Sequence, residues 1–126
     1  ALAEARQRIV PSLELFEHIY QSPHQHFRAL MRGRAGDRLW EALQMALCRI
    51  IEPALATRCV EKQSPSIPLT LVARYLADAL LTLLKWWLAT DMSYSPEQME
   101  NIYQQLALPG VWTMLKEKRA ENGSPV

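Results

Sequence analysis

The chain has 126 residues, 49% of them apolar, a formal net charge of +1 and two cysteines. That length and apolar content suit one domain with its own core and exclude a disordered chain or a disulfide-stapled miniprotein. A charge so close to zero points to neither nucleic acid nor an acidic partner.

Ala1–Val10 (ALAEARQRIV) is helix-prone, and Pro11 interrupts it. Ser12 is placed to cap a short helix through Tyr20, with Leu13, Phe16 and Tyr20 on one face. Ser22-Pro23 breaks the pattern, and a second short helix is expected from about His24 to Arg32, burying Phe27, Leu30 and Met31. The next stretch, Gly33-Arg34-Ala35-Gly36, has the glycines and the cation of a phosphate cradle but the spacing of no known fingerprint, so it reads as a turn between helices.

Asp37 is the expected N-cap of a long helix reaching roughly Cys59, its period kept by Leu39, Trp40, Leu43, Ala46, Leu47, Ile50, Ile51 and Leu55. Pro53 should kink that helix or end its first part. A polar connector, Glu61 to Ser66, leads into the most informative stretch, Pro68–Asp91 (PLTLVARYLADALLTLLKWWLATD). Arg74, Asp78, Thr82 and Lys85 share one narrow stripe of this helix. Leu69, Leu71, Val72, Tyr75, Leu76, Leu80, Leu81, Leu83, Leu84, Trp86, Trp87 and Leu88 cover the rest, far more than one face against one core. The charges at Arg74, Asp78 and Lys85 leave no run of roughly 18 uncharged residues, which excludes a membrane span. Such a helix needs cover on two sides, one from its own bundle and the other from a second copy of the chain.

Ser95-Pro96-Glu97-Gln98 then carries a helix start: Ser95 as N-cap, Pro96 at the first helical position and Gln98 as the reciprocal capping-box residue. Met99, Ile102, Tyr103 and Leu106 continue an amphipathic helix to Pro109-Gly110, and Val111, Trp112 and Leu115 read as a last apolar turn or short helix. Residues 116–126 are polar and are expected to form a flexible tail. No stretch reads as a strand. The expected fold is all-α, a single-domain orthogonal or antiparallel bundle of about five to seven helices spanning residues 1–126.

These residues carry a resemblance. Leu15-Phe16-Glu17-His18-Ile19-Tyr20, then Phe27-Arg28-Ala29-Leu30 and the glycine stretch, are similar to the start of the C-terminal regulatory domain of TetR-family transcriptional regulators. Ile67-Pro68-Leu69, Leu76, Ala79-Leu80, Lys85-Trp86-Trp87-Leu88 and Tyr94-Ser95-Pro96-Glu97-Gln98-Met99 resemble its second half, so that the likeness spans about Leu13 to Leu115. It implies an effector-sensing and homodimerising domain whose last two long helices, Pro68–Asp91 and Pro96–Leu108, form a four-helix bundle with a partner copy. Leu76, Leu80, Leu83, Leu84, Trp87, Leu88, Met99, Ile102, Tyr103 and Leu106 are then the expected interface. The family's N-terminal helix-turn-helix is not among these residues, and Ala1 in place of a methionine suggests a fragment or processed form, so operator DNA would be contacted only by the intact protein.

The implied partners are a second copy and a small apolar or amphipathic effector, with no membrane and no cofactor. Phe16, Tyr20, Phe27, Trp40, Leu43, Met45, Leu47 and Tyr75 are the candidate pocket residues, because aromatic and methionine side chains with a few phenol hydroxyls suit such a ligand. Each is equally a plausible core position. A ligand-free dimerisation module is the alternative.

An enzyme fits worst, since Glu14, Glu17, His18 and Glu41 make no acid/base set at recognisable spacing. His18, His24 and His26 lie around a break and lack a completing ligand, and Lys116-Glu117-Lys118-Arg119 reads as a solvated helix end. Cys48 reads as a small buried hydrophobe with no activating base. Cys48 and Cys59 form no C-x-x-C pair, and no signal peptide or lipidation motif is present, which suits the reducing cytoplasm.

Overall fold

The computed structural model describes residues 9–22, 33–58 and 67–123. They form α1 (Ser12–Gln21), α2 (Gly33–Arg58), α3 (Leu69–Ala89), α4 (Pro96–Leu106) and α5 (Leu108–Gly123), with no strand among the described residues. The fold is an all-α bundle. The expected helix at His24–Arg32, the connector Glu61–Ser66, and Cys59, Phe27, His24 and His26 lie outside the described residues, as does most of the Ala1–Val10 stretch.

α3 is the central element. Leu76, Ala77, Leu80, Leu84 and Trp87 are completely buried on it, and Val72, Ala73, Leu81 and Leu88 nearly so. α2 packs along one side of this face, contributing Leu47, Ile51 and Leu55 at i, i+4 and i+8. α4 brings Met99 and Tyr103 to another side, and α1 lies on α4 with Phe16 and Ile19 turned inward. Each fully buried Leu, Ile, Val, Phe or Met side chain among them contributes about 1.5–3 kcal/mol relative to exposure.

Local chemistry explains where most helices begin and end. Pro68 precedes α3, its carbonyl accepting from the Leu71 and Val72 amides. At the other end, the Thr90 hydroxyl lies within hydrogen-bonding distance of the Trp86 and Trp87 carbonyls. Asp91 and Met92 follow at φ 58° and 52°, a left-handed pair costing about 1–2 kcal/mol per residue. Burial of the Met92 side chain and a 2.8 Å bond from its amide to the Trp87 carbonyl offset that cost. The capping box at α4 forms as expected: the Gln98 amide donates to Ser95 Oγ at 3.1 Å, and the Ser95 amide to Gln98 Oε1 at 2.8 Å.

Four local expectations differ from the fold. Gly33–Gly36 is the first turn of α2 rather than a connector, so Asp37 lies inside the helix. Gly33 sits at φ 70°, accessible to glycine at little cost, and Gly36 is buried. Pro53 does not end α2, which continues through it to Arg58 with the flanking Ile51 and Leu55 fully buried. Ser12 does not cap α1: the N-cap is Pro11, with no side-chain bond, and the Ser12 hydroxyl donates instead to the buried Glu100 carboxylate. Finally, α5 stays helical to Gly123, its residues after Gly110 offering no proline or glycine to break it before that point. No described helix is long and apolar enough to cross a membrane.

Candidate functional site

Among the described residues, two surfaces have the shape and chemistry to interact. The first is the outer face of α3 and α4. On α3, Leu71, Tyr75 and Trp86 fall on the arc that neither α2 nor α4 covers, and all three are exposed. Trp86 is 46% exposed and lies against Tyr94, ring centroids 5.7 Å apart at 50°. Leu106, at the end of α4, is 69% exposed. Between them Thr82, Leu83, Trp86, Met99 and Ile102 line a shallow groove of about 320 Å³ with an apolar lining.

Of the residues expected to face a second copy, Leu83, Ile102 and Leu106 lie on this face. Leu76, Leu80, Leu84, Trp87, Leu88, Met99 and Tyr103 are buried by the chain's own packing, Met99 also lining the groove floor. Trp86 was absent from the expected set, although its position one step from Trp87 turns it about 100° around the helix, toward the uncovered arc.

The second surface is a groove of about 560 Å³ between α2 and α3. α2 supplies Trp40, Glu41, Gln44 and Met45, and α3 supplies Arg74, Asp78, Leu81, Thr82 and Lys85. The polar stripe legible in the sequence therefore faces this groove. Asp78 accepts a 2.6 Å hydrogen bond from Gln44 Nε2 on one carboxylate oxygen and pairs with Arg74 Nε at 3.6 Å on the other. Lys85 Nζ sits 5.0 Å from the centroid of the Trp40 ring, a cation over an aromatic face.

The candidate pocket residues divide among different places. Trp40 and Met45 line the α2/α3 groove. Leu43 packs at the edge of the core and Leu47 lies within it. Phe16 and Tyr20 meet on Trp87, Phe16 edge-on at 5.3 Å and 88°, Tyr20 stacked at 6.0 Å and 14°. The Trp87 indole N–H donates to the Tyr94 carbonyl at 2.9 Å, so that ring is satisfied on its polar edge as well as packed on its faces. Tyr75 is exposed, its hydroxyl 3.3 Å from the Ala107 carbonyl. Phe27 is outside the described residues.

The remaining reactive groups are quiet. Burial pushes the Cys48 thiol above its usual pKa, with Asp78 and Glu52 acting in the same sense and Arg74 opposing them. Burial also raises the Tyr103 hydroxyl, helped by Glu100 and Tyr75, and that hydroxyl donates to the Leu76 carbonyl at 2.8 Å. Among the described residues no group of three or more His, Cys, Asp or Glu side chains is placed to hold a metal ion.

A family model described as a transcriptional regulator C-terminal region matches residues 12–108. No curated protein and no solved structure matches the chain.

Proposed function

Because the chain belongs to the TetR-type family of transcriptional regulator C-terminal regions, we propose that it pairs two copies of such a regulator and senses a small molecule on their behalf. The observation that carries the pairing is the outer face of α3 and α4. Leu71, Trp86, Ile102 and Leu106 expose an apolar strip around a groove with no polar lining, a surface that a soluble monomer gains nothing by presenting. A self-complementary two-fold contact through this face would bury it, with Trp86 as a central aromatic anchor. The residues buried behind it, such as Leu84 and Trp87, give the face its rigidity without touching the second copy.

The regulatory consequence follows from population shift. A dimer holds two DNA-reading units at a fixed separation, about 34 Å for adjacent major grooves, and an effector acts only by favouring one arrangement of the pair over another. Operator contact would belong to a DNA-binding unit joined to this region. A dimerising module without an effector is the alternative, and the packing of Phe16 and Tyr20 onto Trp87, which fills that part of the interior, favours it.

Sedimentation of the purified chain at micromolar concentration tests the pairing. The expected mass is that of two chains, falling to one chain in Leu106→Glu with the helical circular dichroism unchanged, because Leu106 touches little of its own fold. A monomeric unsubstituted chain overturns it.

A further inference from the structure

The α2/α3 groove holds one cation that forms no ion pair among the described residues. Asp78 is engaged on both oxygens, by Gln44 and by Arg74, so that cluster neutralises itself. Lys85 is different: its ammonium rests on the Trp40 ring, and no carboxylate lies within ion-pair distance of it among the described residues. A cation over an indole keeps N–H donors available for an acceptor that approaches from the groove. Beside it, Trp40, Met45 and Leu81 present an aromatic plane, a flexible thioether and an aliphatic wall.

We propose that this groove binds an amphipathic organic anion of a few hundred daltons, its flat or aliphatic body against Trp40 and Met45 and its single negative group on Lys85. The volume of about 560 Å³ is that of a small-molecule site. The formal charges lining the groove, Arg74 and Lys85 against Glu41 and Asp78, sum to zero, so a nucleotide or another polyanion gains no field there. One negative group at the Lys85 end, with the apolar body screening the Trp40 contact from water, matches the chemistry on both sides of the groove. Thr82 lines this groove and also the apolar groove of the α3–α4 face, so a ligand here lies next to the proposed pairing surface. The site thus rests on the effector-sensing half of the function proposed above and supplies its ligand class.

Two probes that share one body test it: 8-anilino-1-naphthalenesulfonate, an aromatic anion, and N-phenyl-1-naphthylamine, its neutral counterpart. Titrated against the chain by fluorescence, the anion is expected to saturate at one per chain and to bind at least about tenfold more tightly than the neutral probe, the size of one charge-assisted contact. Lys85→Met is expected to erase that difference, and Trp40→Leu to weaken both probes. Equal affinities in the unsubstituted chain, no saturable binding of the anion, or an unchanged preference in Lys85→Met each overturn the site. So does loss of binding in Trp86→Ala with retention in Lys85→Met, which would place the probe on the α3–α4 face. Sedimentation of the same samples reports pairing separately, so a two-chain mass without anion binding removes the site and leaves the dimer standing.

Discussion

The Ser12 hydroxyl donates to the Glu100 carboxylate across 88 positions of sequence, and both side chains are buried. The bond ties the first turn of α1 to the middle of α4. The other carboxyl oxygen accepts from Gln104 Nε2 at 2.8 Å, so this buried polar group is satisfied from two helices and lies near the positive end of α1.

Removing the donor should therefore cost more than an ordinary surface hydroxyl. Ser12→Ala leaves one carboxylate oxygen short of a partner in a buried place and is expected to lower stability by about 1–3 kcal/mol in urea unfolding. Glu100→Ala strands both Ser12 and Gln104 and should cost at least as much. In a double-mutant cycle the two substitutions are expected to couple by about 0.5–3 kcal/mol, and additive losses would show that the bond carries no stability.

Tyr103 gives the chain a dependence on alkaline pH. Its hydroxyl is buried, donates to the Leu76 carbonyl and has its pKa raised above the ordinary 10.0. A raised folded value means that the protonated form is favoured in the native state, so the contribution is whole below pH 10 and declines as the unfolded chain begins to ionise. Above about pH 10 the unfolding free energy should fall by up to about 1.4 kcal/mol per pH unit from this group. Tyr103→Phe should lose about 1 kcal/mol at neutral pH and flatten the alkaline slope. An unchanged slope in the variant would assign the alkaline loss to other groups.

Elements whose signals lie within one turn were legible in the sequence: the Ser95/Gln98 box starts α4, and the apolar wrap of Pro68–Asp91 marks α3 as central. Contacts across long separations were not. Ser12 has an ideal cap residue's chemistry, and only the fold shows that Glu100 claims it. Periodicity likewise could not say which part of α3's apolar circumference its own chain covers, so Leu84 and Leu83 looked alike although one is sealed and the other borders an open groove. For the α2/α3 groove, the stripe from Arg74 to Lys85 was visible, but the matching Trp40, Glu41, Gln44 and Met45 depend on how α2 lies against it.

Ser95→Ala tests a local element independently of the rest. Losing the Oγ acceptor of the Gln98 amide is expected to lower stability by about 1 kcal/mol, while Ser95→Gly should cost only a few tenths. Thermal unfolding of the two variants beside the parent checks both values; a Ser95→Ala variant as stable as the parent would mean that the hydroxyl is not the stabilising feature.

Trp86 and Trp87 are adjacent in sequence and opposite in role. Trp87 is fully buried, packed by Phe16 and Tyr20, with its N–H satisfied. Trp87→Ala removes that whole contact set and is expected to cost about 3–5 kcal/mol, seen as early unfolding at any protein concentration. Trp86 leans on Tyr94 and borders the apolar groove. Trp86→Glu should leave the unfolding midpoint of a dilute monomer within about 0.5 kcal/mol of the parent, as surface changes usually do. It should abolish the two-chain mass, because pairing would require burying a carboxylate without a partner. Unfolding of an obligate dimer depends on concentration and that of a monomer does not, so a concentration series separates the two substitutions. If Trp86→Glu still sediments as two chains, the pairing surface lies elsewhere on the bundle.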